Sequence, residues 1–187
     1  MKRSGGTVRA GALLDRLAGG DRRSIGRSEE VARDVERAPD LLPHLVQGLE
    51  DADERVRMRA ADALEKVTRE HPDWLRPFKR RLLRLAAEST QQEVRWHLAQ
   101  LLPRLPLTDG ERRRALVLLD GYLDDHSAIV RTFALQALAD VGGDYPATSS
   151  AVRRRIARAA ESGTPAMQAR ARKLLSHWAS GAAPRNR

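Results

Sequence analysis

Four stretches of this chain align with one another without gaps: Val56 to Val67 (VRMRAADALEKV), Val94 to Leu105 (VRWHLAQLLPRL), Val130 to Val141 (VRTFALQALADV) and Met167 to Trp178 (MQARARKLLSHW). Their first residues stand 38, 36 and 37 positions apart. A chain that returns to one pattern at such an interval is building the same supersecondary unit repeatedly, and an interval in the high thirties is that of a pair of helices. One such pair cannot bury its own apolar side, so each must stack on the next.

Within each stretch, positions 0, 4, 7, 8 and 11 are apolar, as in Val56, Ala60, Ala63, Leu64 and Val67. That spacing marks one face of an α-helix. Alanine at offset 4 in three copies allows a neighbouring helix to approach closely, and leucine at offset 8 in all four supplies bulk. Each repeated helix follows another apolar-periodic stretch, at about 40–50, 74–88, 109–123 and 149–162, which predicts a first helix for every pair. Asp51 with Glu54, Thr90 with Glu93 and Thr108 with Glu111 have capping-box spacing, and Thr164-Pro165 places a cap before a proline at the first helical position. His71-Pro72-Asp73, Pro106-Leu107-Thr108 and Gly142 to Pro146 separate the pairs with residues that end helices.

An antiparallel helix pair with a polar turn, Val-Arg opening its second helix, then Ala-x-x-Ala-Leu, resembles the HEAT repeat of importin-β and related scaffolds. Asp125 through Val141 carries the likeness best, and it extends over about residues 40–179. The resemblance implies an all-α fold, a right-handed α–α superhelix, and a broad role in binding. The fourth copy departs from the pattern, with Gln168 where the others have Arg57, Arg95 and Arg131, as expected of a terminal repeat. The expected organisation of the 187 residues is one folded array. It comprises a degenerate helical cap over 7–38 and repeats over 39–70, 72–105, 108–141 and 148–179, with disorder at 1–6 and 180–187.

The net charge of +9 is unevenly placed, with +5 over residues 74–120 and +8 over 151–187. A polyanion would be drawn there. Only Lys2, Lys66, Lys79 and Lys173 are lysines, so a coding bias towards arginine accounts for the same excess. The triplets Lys79-Arg80-Arg81, Arg112-Arg113-Arg114 and Arg153-Arg154-Arg155, with Arg84 and Arg158, fall on first helices, the outer surface of a normal stack. They are the candidate polyanion contacts, or else a solvated face in which one residue of each set covers a neighbour's stem. The column Arg57, Arg95, Arg131 suggests a phosphate track, but reads better as an internal ladder to turn acids such as Asp51, Asp53, Asp124 and Asp125.

Partners of helical stacks usually dock on the second helices. The residues expected on that concave face are Met58, Asp62, Trp96, Gln100, Arg104, Thr132, Gln136 and Lys173. Trp96, flanked by Gln and Arg, has the composition of a binding hot spot, and the competing reading wedges it against the next repeat. Trp74 and Trp178 read as packing residues.

Catalysis finds little support. Cysteine is absent, which excludes disulfides, thiolate metal sites and thiol nucleophiles. The five histidines make no HxxxH and no His-Glu dipeptide, the motif of di-iron HEAT hydroxylases, and Glu93 with His97 reads as a surface pair. There is no GxxxxGK phosphate loop and no GxSxG elbow. Bacterial alkylpurine DNA glycosylases use a HEAT-like stack with a basic concave channel and a catalytic Asp, but the basic triplets lie on the opposite helices here and Trp96 has no Asp within a turn. No apolar run approaches the roughly 18 to 20 residues that cross a bilayer, and the start of the chain leads into no signal-peptide core. These features predict a cytoplasmic, non-enzymatic scaffold or adaptor. It would need no cofactor or metal and would dock a protein or peptide on its concave face, with nucleic acid as the alternative partner and glycosylase activity third.

Overall fold

A computed structural model describes residues 10–19 and 24–180, and every regular element among them is helical. The stretches expected to be disordered, 1–6 and 180–187, lie outside the described residues except for Ser180, which ends α10 with its amide donating to the Ser176 carbonyl. Where the sequence suggests one array, the chain divides into two compact units, Met1–Trp74 and Leu75–Arg187. The division falls within a 3-10 segment, Pro72–Phe78, whose two prolines, Pro72 and Pro77, cannot supply the amide hydrogens that an α-helix would need.

In the first unit, α1 (Ala10–Ala18) and α2 (Ser28–Arg37) make one pair, and α3 (Leu42–Gln47) with α4 (Glu54–Glu70) the next. The 3-10 turns Pro39–Leu41 and Gly48–Glu50 flank α3. α2 lies along α4, while α1 touches both α3 and α4. Val31, Ala32 and Val35 of α2 and Ala60, Ala63 and Leu64 of α4 are all buried.

The second unit holds three pairs: α5 (Lys79–Glu88) with α6 (Gln92–Leu101), α7 (Asp109–Gly121) with α8 (Ala128–Gly142), and α9 (Ser149–Ser162) with α10 (Pro165–Ala179). Second helices pack on second helices, α6 on α8 and α8 on α10, and the first helices α5 and α7 are also neighbours. α6 tightens into a 3-10 turn at Leu102–Arg104, where Pro103 removes a donor.

The apolar columns read from the repeat form the core. Offsets 0, 4, 7, 8 and 11 of the first three copies are all buried, from Val56 to Val67, Val94 to Leu105 and Val130 to Val141. A fully enclosed leucine such as Leu64, Leu98 or Leu102 contributes roughly 2 kcal/mol by leaving water. In the last copy Met167, Ala171 and Leu174 are buried, but Leu175 and Trp178 are only partly so, and no further helix follows α10 among the described residues.

Two of the expected caps shift. The N-cap of α4 is Asp53, which accepts from the Arg55 amide, while Asp51 accepts from the Asp53 amide one step earlier. α6 begins after Gln91 without a side-chain cap, so Thr90 stands outside the helix. Thr108 and Glu111 form the full reciprocal box, and Thr164 caps α10 through the Met167 amide. Capping-box spacing tolerates a slip of one or two residues wherever several acids crowd one turn, which is why Asp51 and Asp53 compete for the role.

Candidate functional site

The arginine column opening the second helices is internal. Arg95 makes an ion pair with Asp125, the turn acid of the following repeat, whose side chain is wholly buried, and its guanidinium lies 4.1 Å from the centre of the Tyr122 ring. Arg57 instead donates to the carbonyls of Asp51 and Ala52 in its own turn, at 2.8 and 3.0 Å. Gln168 reproduces that with Gly163 at 3.0 Å, so the terminal copy keeps the turn contact without the charge. In the copy after Arg131, Ser162 occupies the register of Asp125, and the Arg131 Nε is buried without a hydrogen bond among the described residues.

A second column, at offset 3, was not legible as a feature of the repeat. Arg59 is fully buried and donates to the carbonyl of Leu17 at 2.6 Å, of Ser24 at 3.1 Å and of Gly19. Its charge thus meets the exposed carbonyls at the C-terminal end of α1, where a cation is favoured. Gly26, at φ +57°, passes so close that any Cβ would fall 2.8 Å from the Arg59 Nε. In the second unit the same offset holds Phe133, edge-on to Trp96 with ring centres 5.6 Å apart, and Arg170, donating to Gln136 at 3.1 Å. In these three copies offset 3 reaches the preceding pair, while His97, at the same offset of the second copy, turns to the Glu93 carbonyl of its own helix. Period alone cannot reveal this, because Arg, His, Phe and Arg share no hydropathy.

The residues expected on the second-helix face are placed as follows. In the first unit Met58 is partly buried, and Asp62 accepts from the Ser28 hydroxyl at 2.5 Å and pairs with Lys66 at 2.9 Å. In the second unit Trp96 is only partly exposed. Its Nε1 is buried and finds no acceptor among the described residues. Gln100 donates weakly to the Trp96 carbonyl at 3.5 Å, Thr132 donates to the Ala128 carbonyl at 2.7 Å, and Gln136 donates to Asp140 at 2.8 Å. Arg104 is partly buried and Lys173 exposed. His97, expected at the surface with Glu93, is instead buried beside Trp96. Its Nδ1 lies 2.6 Å from the Glu93 carbonyl, which can only accept, so that nitrogen carries the proton.

The first helices of the second unit sort their basic residues into two sets. Engaged ones include Lys79, with Glu111 at 2.7 Å and the Pro106 carbonyl at 3.2 Å, and Arg84, with Glu88 at 2.7 Å. Arg112 donates to the Val141 carbonyl at 2.7 Å and lies over the Tyr145 ring, Arg153 lies over Trp178, and Arg155 donates to Asp120 at 2.6 Å. Arg81 is partly buried. The other set, Arg80, Arg113, Arg114, Arg154 and Arg158, is exposed and has no ion pair among the described residues. Charge follows the same division. Residues 1–74 hold 14 basic against 15 acidic side chains, a net of −1, whereas residues 75–187 hold 20 against 10, a net of +10.

Between α5 and α7, Ala87, Val117 and Leu118 line a shallow depression bordered by Arg113 and Arg114. Val117 is 75% exposed, which composition could not foretell. Of the titrating groups, Glu111 is held down at about 2 by Lys79 and then by the Thr108 amide, and Asp53 at about 2 by Arg55. Burial pushes the Tyr122 phenol up; its hydroxyl donates to the Ala86 carbonyl. No group of His, Asp and Glu with metal-binding geometry occurs among the described residues, and no helix there is long and apolar enough to cross a membrane.

Paired helices stacked through a repeated apolar column, with an arginine reaching from one turn to the next, define a helical-repeat protein. The family model for HEAT repeats matches residues 42–139, more than half the chain, and the protein belongs to the HEAT-repeat family. A crystal structure of an engineered protein from the Northeast Structural Genomics Consortium is similar, with a TM-score of 0.60 at 19% identity over 92% of this chain and 80% of that one. At that identity the likeness bears on the fold alone. No curated protein matches the chain in sequence.

Proposed function

We propose that this HEAT-repeat protein is a non-catalytic docking module for an acidic protein partner, and that its second unit does the docking. HEAT repeats commonly serve as interaction scaffolds, and the observation that carries the finer reading is the division of charge. The second unit's net +10 includes five exposed arginines, Arg80, Arg113, Arg114, Arg154 and Arg158, left without carboxylates of their own among the described residues. Such groups are desolvated at little cost when a partner brings the missing acids, and they steer its approach.

The second-helix face, with Trp96, Gln100, Arg104, Thr132, Gln136 and Lys173, is the other surface open to a protein in this unit. It is the weaker candidate, because Gln100, Thr132 and Gln136 already bond within their own helices. Nucleic acid is the second reading of the partner, favoured by the same guanidinium groups, which suit phosphates as well as carboxylates.

The test reverses charge in each unit separately. Arg113→Glu with Arg114→Glu, and Arg154→Glu with Arg158→Glu, should each weaken capture of poly-glutamate about tenfold at low ionic strength and flatten its salt dependence. Arg33→Glu, on the exposed side of α2, should change nothing. Equal losses from all three would make the attraction a property of total charge and remove the assignment to the second unit. Tight duplex binding with a steep salt slope, absent for poly-glutamate, would replace it with the nucleic-acid reading.

A further inference from the structure

Val117 is the largest departure from the repeat's own logic. It is three-quarters exposed, on a helix whose other exposed residues are charged apart from the terminal Gly121, and it sits in the depression with Ala87 and Leu118. Isolated surface valines are ordinary; what distinguishes this one is its setting. Arg113 and Arg114 stand four and three residues before it, hence one helical turn away on the same side of α7, and both lack ion pairs among the described residues. Apolar atoms and uncompensated guanidinium groups thus share one small surface between two helices.

We propose that this depression seats an amphipathic acidic helix of the partner, with an aliphatic side chain on Val117, Ala87 and Leu118 and carboxylates one turn away on Arg113 and Arg114. The inference rests on the docking reading above and narrows it to one site and one kind of ligand. Adjacent helices on this face leave a groove between their side-chain ridges, into which a third helix packs. The ligand's acids must stand three or four residues from its apolar anchor to match the spacing on α7. A nucleic-acid backbone would use the arginines alone. The patch offers no aromatic surface for a base to stack on, and an exposed valine contributes nothing to a phosphate.

The experiment titrates the full chain with three fluorescent probes. One is a peptide of about 16 residues, roughly 24 Å of helix, carrying leucines at i and i+4 with glutamates three residues from each. The second is a scrambled isomer of equal charge, and the third a short DNA duplex. The amphipathic peptide should bind about tenfold more tightly than its scramble, the size of effect that one buried anchor gives. Val117→Gln, which removes apolar surface without altering charge, should abolish that preference while leaving the melting temperature unchanged. Arg113→Glu with Arg114→Glu should weaken both peptides. If the two peptides bind alike, or Val117→Gln leaves the preference intact while the arginine reversals still act, the seat is wrong and the docking reading survives. If neither peptide binds at low ionic strength, or the duplex outcompetes both regardless of Val117, the seat and the docking reading fall together.

Discussion

The two units are made from the same helical pair and differ in where their charges end. In the first, basic and acidic side chains nearly balance and find each other at close range: Arg16 pairs with Asp34, Arg27 with Glu30, Arg55 with Asp53, Lys66 with Asp62 and Arg69 with Glu65. Even the fully buried Arg59 is absorbed by backbone carbonyls. In the second, the acids are outnumbered two to one, and five guanidinium groups, on α5, α7 and α9, stay exposed without ion pairs among the described residues. A scaffold that spends its charge internally is a structural element. One that leaves cations uncompensated is prepared to meet something else.

Arg59 tests the self-contained character of the first unit most severely. Arg59→Ala leaves several carbonyls near the end of α1 without donors and opens a cavity beneath Gly26, so about 4 kcal/mol of stability should be lost. Hydrogen exchange on the full chain should show the loss in α1, α2 and α4 and spare α8 and α10. Uniform acceleration would mean that the units unfold as one, and the comparison would lose its footing.

Trp96 sharpens the contrast from the other side. The sequence offers it either as a wedge against the next repeat or as a free docking residue, in which latter case Trp96→Ala would leave the melting temperature nearly unchanged. Its buried Nε1 and its edge contact with Phe133 instead predict a loss of about 2 kcal/mol, less than a fully enclosed Trp would cost. Denaturant unfolding decides between the two.

The smallest effect concerns acid. Glu111 has its pKa lowered to about 2 from 4.5, chiefly by Lys79. The stability it lends is therefore fully present above pH 4.5 and disappears as pH falls through about 2. Glu111→Gln should melt slightly below the wild type at neutral pH, by a degree or so, with the difference closing at the acid end of a pH series. A gap that persists near pH 2 would assign the effect to the capping box with Thr108 rather than to the ion pair.

The fold was written in the repeat. Each apolar offset from Val56 to Val141 became core, and the prolines and glycines between pairs became the breaks, because period and punctuation are local properties of a chain. The arginine ladder was half visible: the type and register of Arg95 pointed to a turn acid, but which turn, its own or the next, depended on the spacing between stacked pairs. Tertiary structure alone decided the rest. Lys79 and Arg80 are neighbours in sequence and nearly equal in chemistry, yet one is tied to Glu111 and the other is not, because a helix sends consecutive side chains in different directions. Nothing in the repeat pattern singles out Arg59, whose burial depends on the carbonyls that α1 presents, and Val117 is notable only because α5 lies beside it. Sequence determines which faces must be covered; packing determines which charges and apolar atoms are left over, and the candidate docking surface is made of those remainders.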